Sequence, residues 1–354
     1  MESFVYNGTA ARVLFGSGTS RQLKAEIERA GCRHALIVGT KPQAATLTAI
    51  AESLGTLAAG AFSGAAMHTP TDVTEQALSA FKQCGADCTV AVGGGSSTGL
   101  GKALALRTDA MQFVLPTTYA GSEMTPILGQ TENGVKTTQR SPRVLPEVTI
   151  YDVDLTMTLP PGLSATSGMN AIAHAVEALY AEDRNPIMSL MAEQAIAWLG
   201  RALPVIVKDP RNKAARTDAL YGAWLAGMCL GSVGMALHHK LCHVLGGTFD
   251  LPHAETHTVI LPHAFAYNAA TAPEAGRAIV RALGGENATT ALFELARAID
   301  APRGLQSLGM PEAGIEQAAD LAVKNPYWNP RPLDRMAIRD LIACAWAGAP
   351  PQAS

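Results

Sequence analysis

The chain has 354 residues, 48% hydrophobic and only 16% charged, with a formal net charge of −3, so it is long enough for two well-cored domains and has no electrostatic reason to bind nucleic acid or an anionic membrane. Its start, MESFVYNGTAARVLFG, lacks the basic segment and apolar core of a signal peptide, and no apolar run reads as long enough to span a membrane. Six cysteines without a repeating spacing point to free thiols in a reducing cytoplasm, not to a disulfide framework.

Taken in chain order, the first half alternates helix and strand. RQLKAEIERAG puts Leu23, Ile27 and Ala30 on one helical face, with Ser20 as the expected N-cap and Gly31 as the stop. HALIVG (34–39) is a short buried strand, and ATLTAIAESLG and TEQALSAFKQCGA are two further helices. CTVAVGGGSSTGLGKALAL runs strand, glycine turn, helix, while QFVLPTT and EVTIYD add two strands. Strands separated by helices imply a parallel sheet covered on both faces. After Pro160–Pro161 strand signals vanish. GMNAIAHAVEALYA, SLMAEQAIAWLGRALPVIV, the long stretch ARTDALYG to HVLG, GRAIVRALGG and LFELARAID all carry helical periodicity. The expected organisation is therefore an α/β domain over 1–158 and an all-α domain over 159–354.

AVGGGSSTGLGK (91–102) ends a strand in three glycines and opens a helix directly. Glycines let a phosphate approach the backbone, and the helix start supplies free N–H groups and a favourable dipole. The spacing is neither G-x-G-x-x-G nor a P-loop. A tight strand-to-helix turn with no ligand is the alternative. Gly94, Gly95 and Ser96 are the candidate phosphate-contacting residues. LPTTYAGSEMT places Thr117, Thr118 and Ser122 after the next strand, where hydroxyls can line the same crevice, and Lys136 of NGVKTT is a cation able to reach a ribose or phosphate. At the end of strand 34–39 stands Thr40, with no acid to accept ribose hydroxyls and repel the extra phosphate of NADP. A dinucleotide held here would be NADH or NADPH.

Six of the nine histidines fall between residues 238 and 263. Histidines bunch to ligate metals, relay protons or sense pH. Asn170 and His174 are four apart on one helix, as are His239 and His243 on another, and His253 follows after Gly246–Gly247, the expected helix break. Each alone is compatible with a hydrogen-bonded core residue or a turn; together they favour one polar site.

These residues and the glycine turn carry a resemblance over nearly the whole chain. RVLFGSG, GGGSSTGLGK, PTTYAGSEMT, DVDLTMTLPP, NAIAHAVEALY and HHKLCHVLGGTFDLPHAETH resemble the iron-containing (group III) alcohol dehydrogenase family. Gly99, where most of that family has Asp, and NPYWNPRPL near the C-terminus are similar to one reductase subgroup within it. The resemblance implies a dinucleotide-binding α/β domain followed by a helical domain, and a homodimer. It implies a divalent metal, Fe or Zn, held by an Asp and three His, which fall here on Asn170, His174, His239 and His253; an amide in place of the carboxylate removes a charge from the set. It also implies reduction of the C=C bond of a small unsaturated oxo-dicarboxylate in aromatic-compound degradation. An enone needs less Lewis-acid help than an isolated carbonyl, so a hydrogen-bond donor or cationic imidazole suffices to hold the enolate. His243, one helical turn from His239 and outside the ligand set, is the expected proton donor, with orientation of a metal ligand as its alternative role. Lys240, Tyr327 and Arg331 are the candidates for binding substrate carboxylates, and each is equally suited to a packing role. The rival activities are metal-dependent oxidation of an alcohol or reduction of an aldehyde, a lyase that recycles bound NAD, and a non-catalytic nucleotide sensor.

Overall fold

The computed structural model describes residues 4–6, 8, 11–325 and 327–352, except for the side chain of Lys136. Two compact units emerge: Gly8–Leu159, and Pro160–Ser354 together with the first described residues.

The first unit is α/β. In chain order it runs β1 (Arg12–Gly16), α1 (Leu23–Arg29), β2 (Ala35–Val38), α2 (Ala44–Leu54), β3 (Ala58–Phe62), α3 (Thr71–Gln83), β4 (Cys88–Gly93), α4 (Gly95–Thr108), β5 (Met111–Pro116), β6 (Ile127–Glu132), β7 (Val135–Arg140) and β8 (Val148–Asp152). Six strands form a parallel sheet in the order β1-β8-β5-β4-β2-β3, the doubly covered sheet expected from the sequence. Its central strands ALIV and CTVAVG are buried along their whole length, as strands with helices on both faces must be. One face of the sheet packs Ile37, Val90, Val92, Phe113 and Ile150 against Leu23, Ile27 and Leu47, and the other packs Leu36, Val38 and Ala91 against Ala77, Phe81 and Leu104.

Several local details differ from the sequence reading. Ser20 does not cap α1: a 3₁₀ turn, Thr19–Gln22, precedes the helix, and the amides of Gly18 and Ser20 donate to Asp152 at 2.8 and 2.9 Å. The edge strand β3, AAGAF, gives no strand signal because Ala and Gly have low β propensity. β6 and β7 pair as an antiparallel hairpin outside the main sheet. Its two-residue turn, Asn133–Gly134, has φ of 49° and 77°, the left-handed pair such a turn requires.

The second unit is helical: α5 (Pro161–Tyr180), α6 (Pro186–Lys208), α7 (Lys213–Ser232), α8 (Leu237–Phe249), α9 (His253–Asn268), α10 (Pro273–Leu283), α11 (Ala288–Ala298), α12 (Gly314–Ala322) and α13 (Arg335–Ala347). The stretch from ARTDALYG to HVLG is not one helix, because α7 and α8 meet at 94° across Val233–Ala236. Nor does Gly246–Gly247 end α8. The helix continues to Phe249 and stops at Asp250, whose φ is 53°. Helix α6 corrects the expectation about membrane-length segments, since at 23 residues and a mean hydropathy of 1.3 it is long and apolar enough to cross a bilayer. In this fold it buries Met188, Ala195, Leu199 and Leu203, while Glu193 and Arg201 on its other side pair with Arg281 and Asp218. Helix α5 is buried almost throughout, so its Asn170, His174 and Glu177 sit inside protein.

Candidate active site

In the α/β unit, polar groups gather at the carboxyl ends of β2, β4 and β5. The chain leaves β2 for β3 on one side and β4 for β5 on the other, so the sheet order reverses between β2 and β4, where ligands bind in open sheets of this type. Gly93 ends β4 with φ 142°, and a Cβ there would lie 2.3 Å from Ser97 Oγ and 2.5 Å from Gln43 Oε1. Glycine is required on both counts. A Cβ on Gly94 would stand 2.8 Å from Thr118 Oγ1, whereas at Gly95, the first residue of α4, it would meet nothing within 4 Å. The start of α4 is thus open on the side a phosphate needs, and the residues here fit a dinucleotide.

Gln43, which sequence reading missed, ties the expected residues together. It accepts from Thr40 Oγ1 at 3.0 Å and from Ser97 Oγ at 3.4 Å, and donates to Thr117 Oγ1 at 3.1 Å. The Thr117 amide donates to Gly93 O at 3.0 Å. Thr40, Gly94, Thr117 and Thr118 therefore belong to one connected patch, with Ser96 on the first turn of α4. Ser122 lies in a 3₁₀ turn after β5, and its Oγ is buried without a protein partner. Lys136 is on β7, and its side chain lies outside the described residues. Gly99 also has a structural reason. A Cβ there would come within 2.4 Å of Thr69 Oγ1, and Thr69 with His68 occupies left-handed backbone at φ 47° and 63°. The hydroxyl of Thr69 fills the space beside α4 that a side chain at 99 would take.

In the helical unit the centre of the site is a carboxylate, Glu177. It is fully buried, accepts from the amides of Ala236 and His238 at 3.0 and 2.9 Å, and is bonded to His239 Nδ1 at 2.6 Å. One side chain thereby caps the first turn of α8 and orients an imidazole. Burial pushes Glu177 up, but the bond to His239 and the charges and amides around it outweigh that and hold it at about 2. Glu177 thereby supports His239 on α8, from a helix 62 residues earlier in the chain. With the Nδ1 proton of His239 pointed at the carboxylate, its Nε2 carries a lone pair. That atom lies 2.8 Å from His174 Nδ1, which donates to it.

His257, for which the sequence reading had no role, is close to every ring of the cluster. Its ring centroid is 4.3 Å from His253, 4.9 Å from His238, 5.0 Å from His239 and 6.2 Å from His174. The signal was present, since His253 and His257 form a third pair four apart. His238 Nε2 and His257 Nδ1 share a proton at 3.0 Å, and Cys242 Sγ stands 3.7 Å from His238 Nε2. Burial drives His238 down to about 3, and burial with the neighbouring rings drives His257 well below the usual imidazole range. Their outer nitrogens, His238 Nδ1 and His257 Nε2, are buried without protein partners. Metal-ligating imidazoles are normally oriented through that second nitrogen, so this pair with Cys242 is better suited to sharing protons than to holding an ion.

The four residues expected to bind metal fit a divalent ion in part. Asn170 Oδ1 is buried and has no partner, an acceptor that a cation would satisfy. The Glu177–His239 pair is the carboxylate–imidazole arrangement that orients a metal-bound histidine. His174 and His239, however, are at hydrogen-bond separation, shorter than the roughly 3.3 Å between two nitrogens bound to one tetrahedral ion. An ion must displace the proton between them. His253, at the start of α9 and half-buried, reaches the cluster through His257.

His243 is exposed, and its ring lies 6.4 Å from that of His239. Lys240 Nζ sits 5.5 Å over the ring of Tyr327, whose Oη is buried with no protein partner. The segment bearing Tyr327 is fastened by Asn329, which accepts from the Leu237 amide at 3.3 Å and pairs with Asn268 at 2.8 and 3.0 Å. Arg331 is already engaged, stacked 4.1 Å over the ring of Tyr267 and donating to the Tyr267 carbonyl at 3.1 Å. It locks the segment in place, and Lys240 remains the cation beside Tyr327.

An open parallel sheet with a glycine-lined helix start, followed by helices that present histidines from α5, α8 and α9, defines a nucleotide-dependent, metal-family dehydrogenase architecture. The chain belongs to the iron-containing alcohol dehydrogenases: the sequence profile of iron-containing alcohol dehydrogenase matches residues 10–153, and that of the C-terminal part of the Fe-containing alcohol dehydrogenase family matches 164–346. It is 55% identical to a maleylacetate reductase of Rhizobium sp. (strain MTP-10005), covering 99% of this chain and 100% of that one. It is 54% identical to another from Sphingobium indicum, covering 98% and 99%. The crystal structure of maleylacetate reductase from Agrobacterium tumefaciens superposes with a TM-score of 0.96 at 55% identity over 99% of this chain and all of that one.

Proposed function

We propose that the protein is an oxidoreductase that reduces the C=C bond of maleylacetate to give 3-oxoadipate in aromatic-compound catabolism, working as a cytoplasmic homodimer. The observation that carries this reading is the make-up of the histidine site: a buried carboxylate, Glu177, spent on orienting His239, with the neutral Asn170 where the family places a ligating acid. Such a site supplies protons and hydrogen-bond donors more readily than a strong Lewis acid. The near full-length relatives of the same name support it.

Bound NADH or NADPH supplies a hydride. Gly94, Gly95 and Ser96 hold its phosphates against the start of α4, Thr117, Thr118 and Ser122 line the hydroxyl side, and Thr40 sets no charge against a 2′-phosphate. Lys136 contributes charge to the same ligand. Lys240 and the Tyr327 hydroxyl bind one substrate carboxylate, which fixes the enone in position. The alkene carbon conjugated with the ketone takes the hydride, and electron density moves onto the keto oxygen. His174, carrying a proton on Nε2 as well as on Nδ1, donates a hydrogen bond to that enolate oxygen, and Glu177 balances the charge through His239. His243 then gives its proton to the carbon next to the carbonyl, so one hydride and one proton add across the double bond. Asn170, His174, His239 and His253 would hold Fe or Zn if one binds, and that ion would polarise the keto oxygen.

The test follows NADH absorbance with maleylacetate, with and without a chelator. Oxidation of NADH at an undiminished rate in chelator is expected. Activity lost to the chelator and restored by Fe²⁺ or Zn²⁺, together with turnover of simple aldehydes, identifies a metal-dependent alcohol dehydrogenase instead. No net NADH consumption ends the reductase reading and leaves a lyase or a sensor. Light scattering that gives the mass of one chain overturns the dimer.

A further inference from the structure

Lys102 is fully buried on α4, two helical turns beyond Gly95, and the nucleotide contacts proposed above do not use it. Its ammonium is surrounded by four oxygens: Ser122 O at 2.6 Å, Thr125 O at 2.7 Å, Ile127 O at 2.8 Å and Thr125 Oγ1 at 2.9 Å. Three of them belong to the irregular stretch between β5 and β6 that carries Thr117, Thr118 and Ser122, and the fourth to Ile127, the first residue of β6. We propose that Lys102 is a positioning residue that acts as a built-in monovalent cation, clamping the hydroxyl-bearing loop 117–127 onto the helix whose first turn receives the cofactor phosphates. This inference rests on reading that patch as the nucleotide site.

The geometry is that of a small ion's coordination shell. Three backbone carbonyls and a hydroxyl can be satisfied only by a group with several N–H donors and no acceptor, which is the protonated amine. A neutral amine would have two N–H groups for four oxygens. Burial works against the charge and lowers Lys102 to about 7, while the nearby carboxylate of Glu123 on the same loop raises it. Glu123 is itself buried and accepts from Tyr151 Oη at 2.8 Å. The loop's first residue is tied to β4 by the bond from the Thr117 amide to Gly93 O and its end by Pro126 O, which accepts from the Ser141 amide at 2.9 Å, while the amides of Met124 and Thr125 bond within the loop, to Gly121 O and Ser122 O. Without the ammonium, the carbonyls of Thr125 and Ile127 would each lose this donor, while Ser122 O would keep its bonds from the Thr125 amide and hydroxyl at 3.2 and 3.0 Å, and the loop would turn toward water to replace the lost bonds.

The experiment uses Lys102→Ala, which leaves a gap the size of n-propylammonium, with NADH binding read by fluorescence, steady-state kinetics, and hydrogen exchange of residues 117–127. The variant is expected to bind NADH about tenfold more weakly, with kcat at saturating NADH changed less than about threefold. Exchange in 117–127 rises, and n-propylammonium present during refolding reverses both effects, whereas tetramethylammonium, which has no N–H donor, does not. Unchanged affinity and exchange overturn the proposal, as does a loss that n-propylammonium fails to recover. If Lys102→Ala does not fold, Thr125→Val deletes the hydroxyl that accepts from Lys102 and donates to Ser122 O, and a two- to fivefold loss of NADH affinity is expected. Unaltered affinity in that variant counts against the clamp. Should the unmodified protein itself fail to bind NADH, the nucleotide reading is at fault, and the exchange measurement still decides whether Lys102 holds the loop.

Discussion

At the strand ends of the α/β unit the polar surface is largely backbone, shaped by what the side chains omit. Gly93 and Gly94 are glycines because a Cβ would strike Ser97, Gln43 or Thr118, and the exposed amides of α4 are left free. In the helical unit the polar surface is mostly side chain: eight imidazole, carboxylate and amide groups from α5, α8 and α9, six of them buried, held largely by one another. A backbone site tolerates changes that respect its conformation. A buried side-chain network depends on every member and answers to pH.

Acid should separate the two regions most strongly. His238 and His263 are held down at about 3 and about 4, and His257 well below the usual imidazole range, all chiefly by burial. Unfolding releases them to ordinary values near 6.5, so their contribution to stability is full above that pH and is lost as pH falls toward 4, at about 1.4 kcal/mol per pH unit for each imidazole. Denaturant titrations between pH 7 and pH 4 should show the fall; a flat profile would mean these rings are not buried neutral. Next in size, His243→Ala should lower kcat by roughly 10²–10⁴ without altering the melting temperature, since the ring is exposed. Unchanged turnover removes it from the mechanism.

Glu177→Gln should cost about 1–3 kcal/mol in urea denaturation, because the amide cannot replace every bond to Ala236, His238 and His239. On the backbone side, Gly93→Ala should destabilise by about 1–3 kcal/mol through its positive φ. Gly95→Ala, with open space around it, should leave stability nearly unchanged while weakening NADH binding. Equal effects at 93 and 95 would refute the distinction drawn between them. The smallest expected change is at Asn170→Asp, where a carboxylate at the unpartnered Oδ1 position should tighten Zn²⁺ binding about tenfold, or about 1.4 kcal/mol, by calorimetric titration. No change in metal affinity would place Asn170 outside any ion site.

Much of the fold was legible from hydrophobic runs and glycine stops. HALIVG and CTVAVG could be buried strands because no charged residue interrupts their apolar runs, and the disappearance of such runs after Pro161 marked the helical half. Residues four apart on one helix, such as Asn170 and His174 on α5, could be placed on one face from spacing alone. What sequence reading missed are partners distant along the chain. Glu177 serves His239, 62 residues away, and Gln43 serves Thr117, 74 residues away. Lys102 gave no signal because a lysine in a helix is usually solvated, and only its four acceptors reveal its role. For Arg331 the sequence left a substrate contact and a packing role equally open, and its stacking on Tyr267, distant in the chain, is what the fold adds.

The order of residues alone determined the alternation of strand and helix, the glycine turn and the density of imidazoles, because periodicity and backbone permissiveness are local properties. Only the folded chain decided which imidazole meets the carboxylate, which lysine is swallowed by carbonyls and where α8 turns away from α7. Those outcomes depend on desolvation and on contacts between segments far apart in the chain, which no short window of sequence contains.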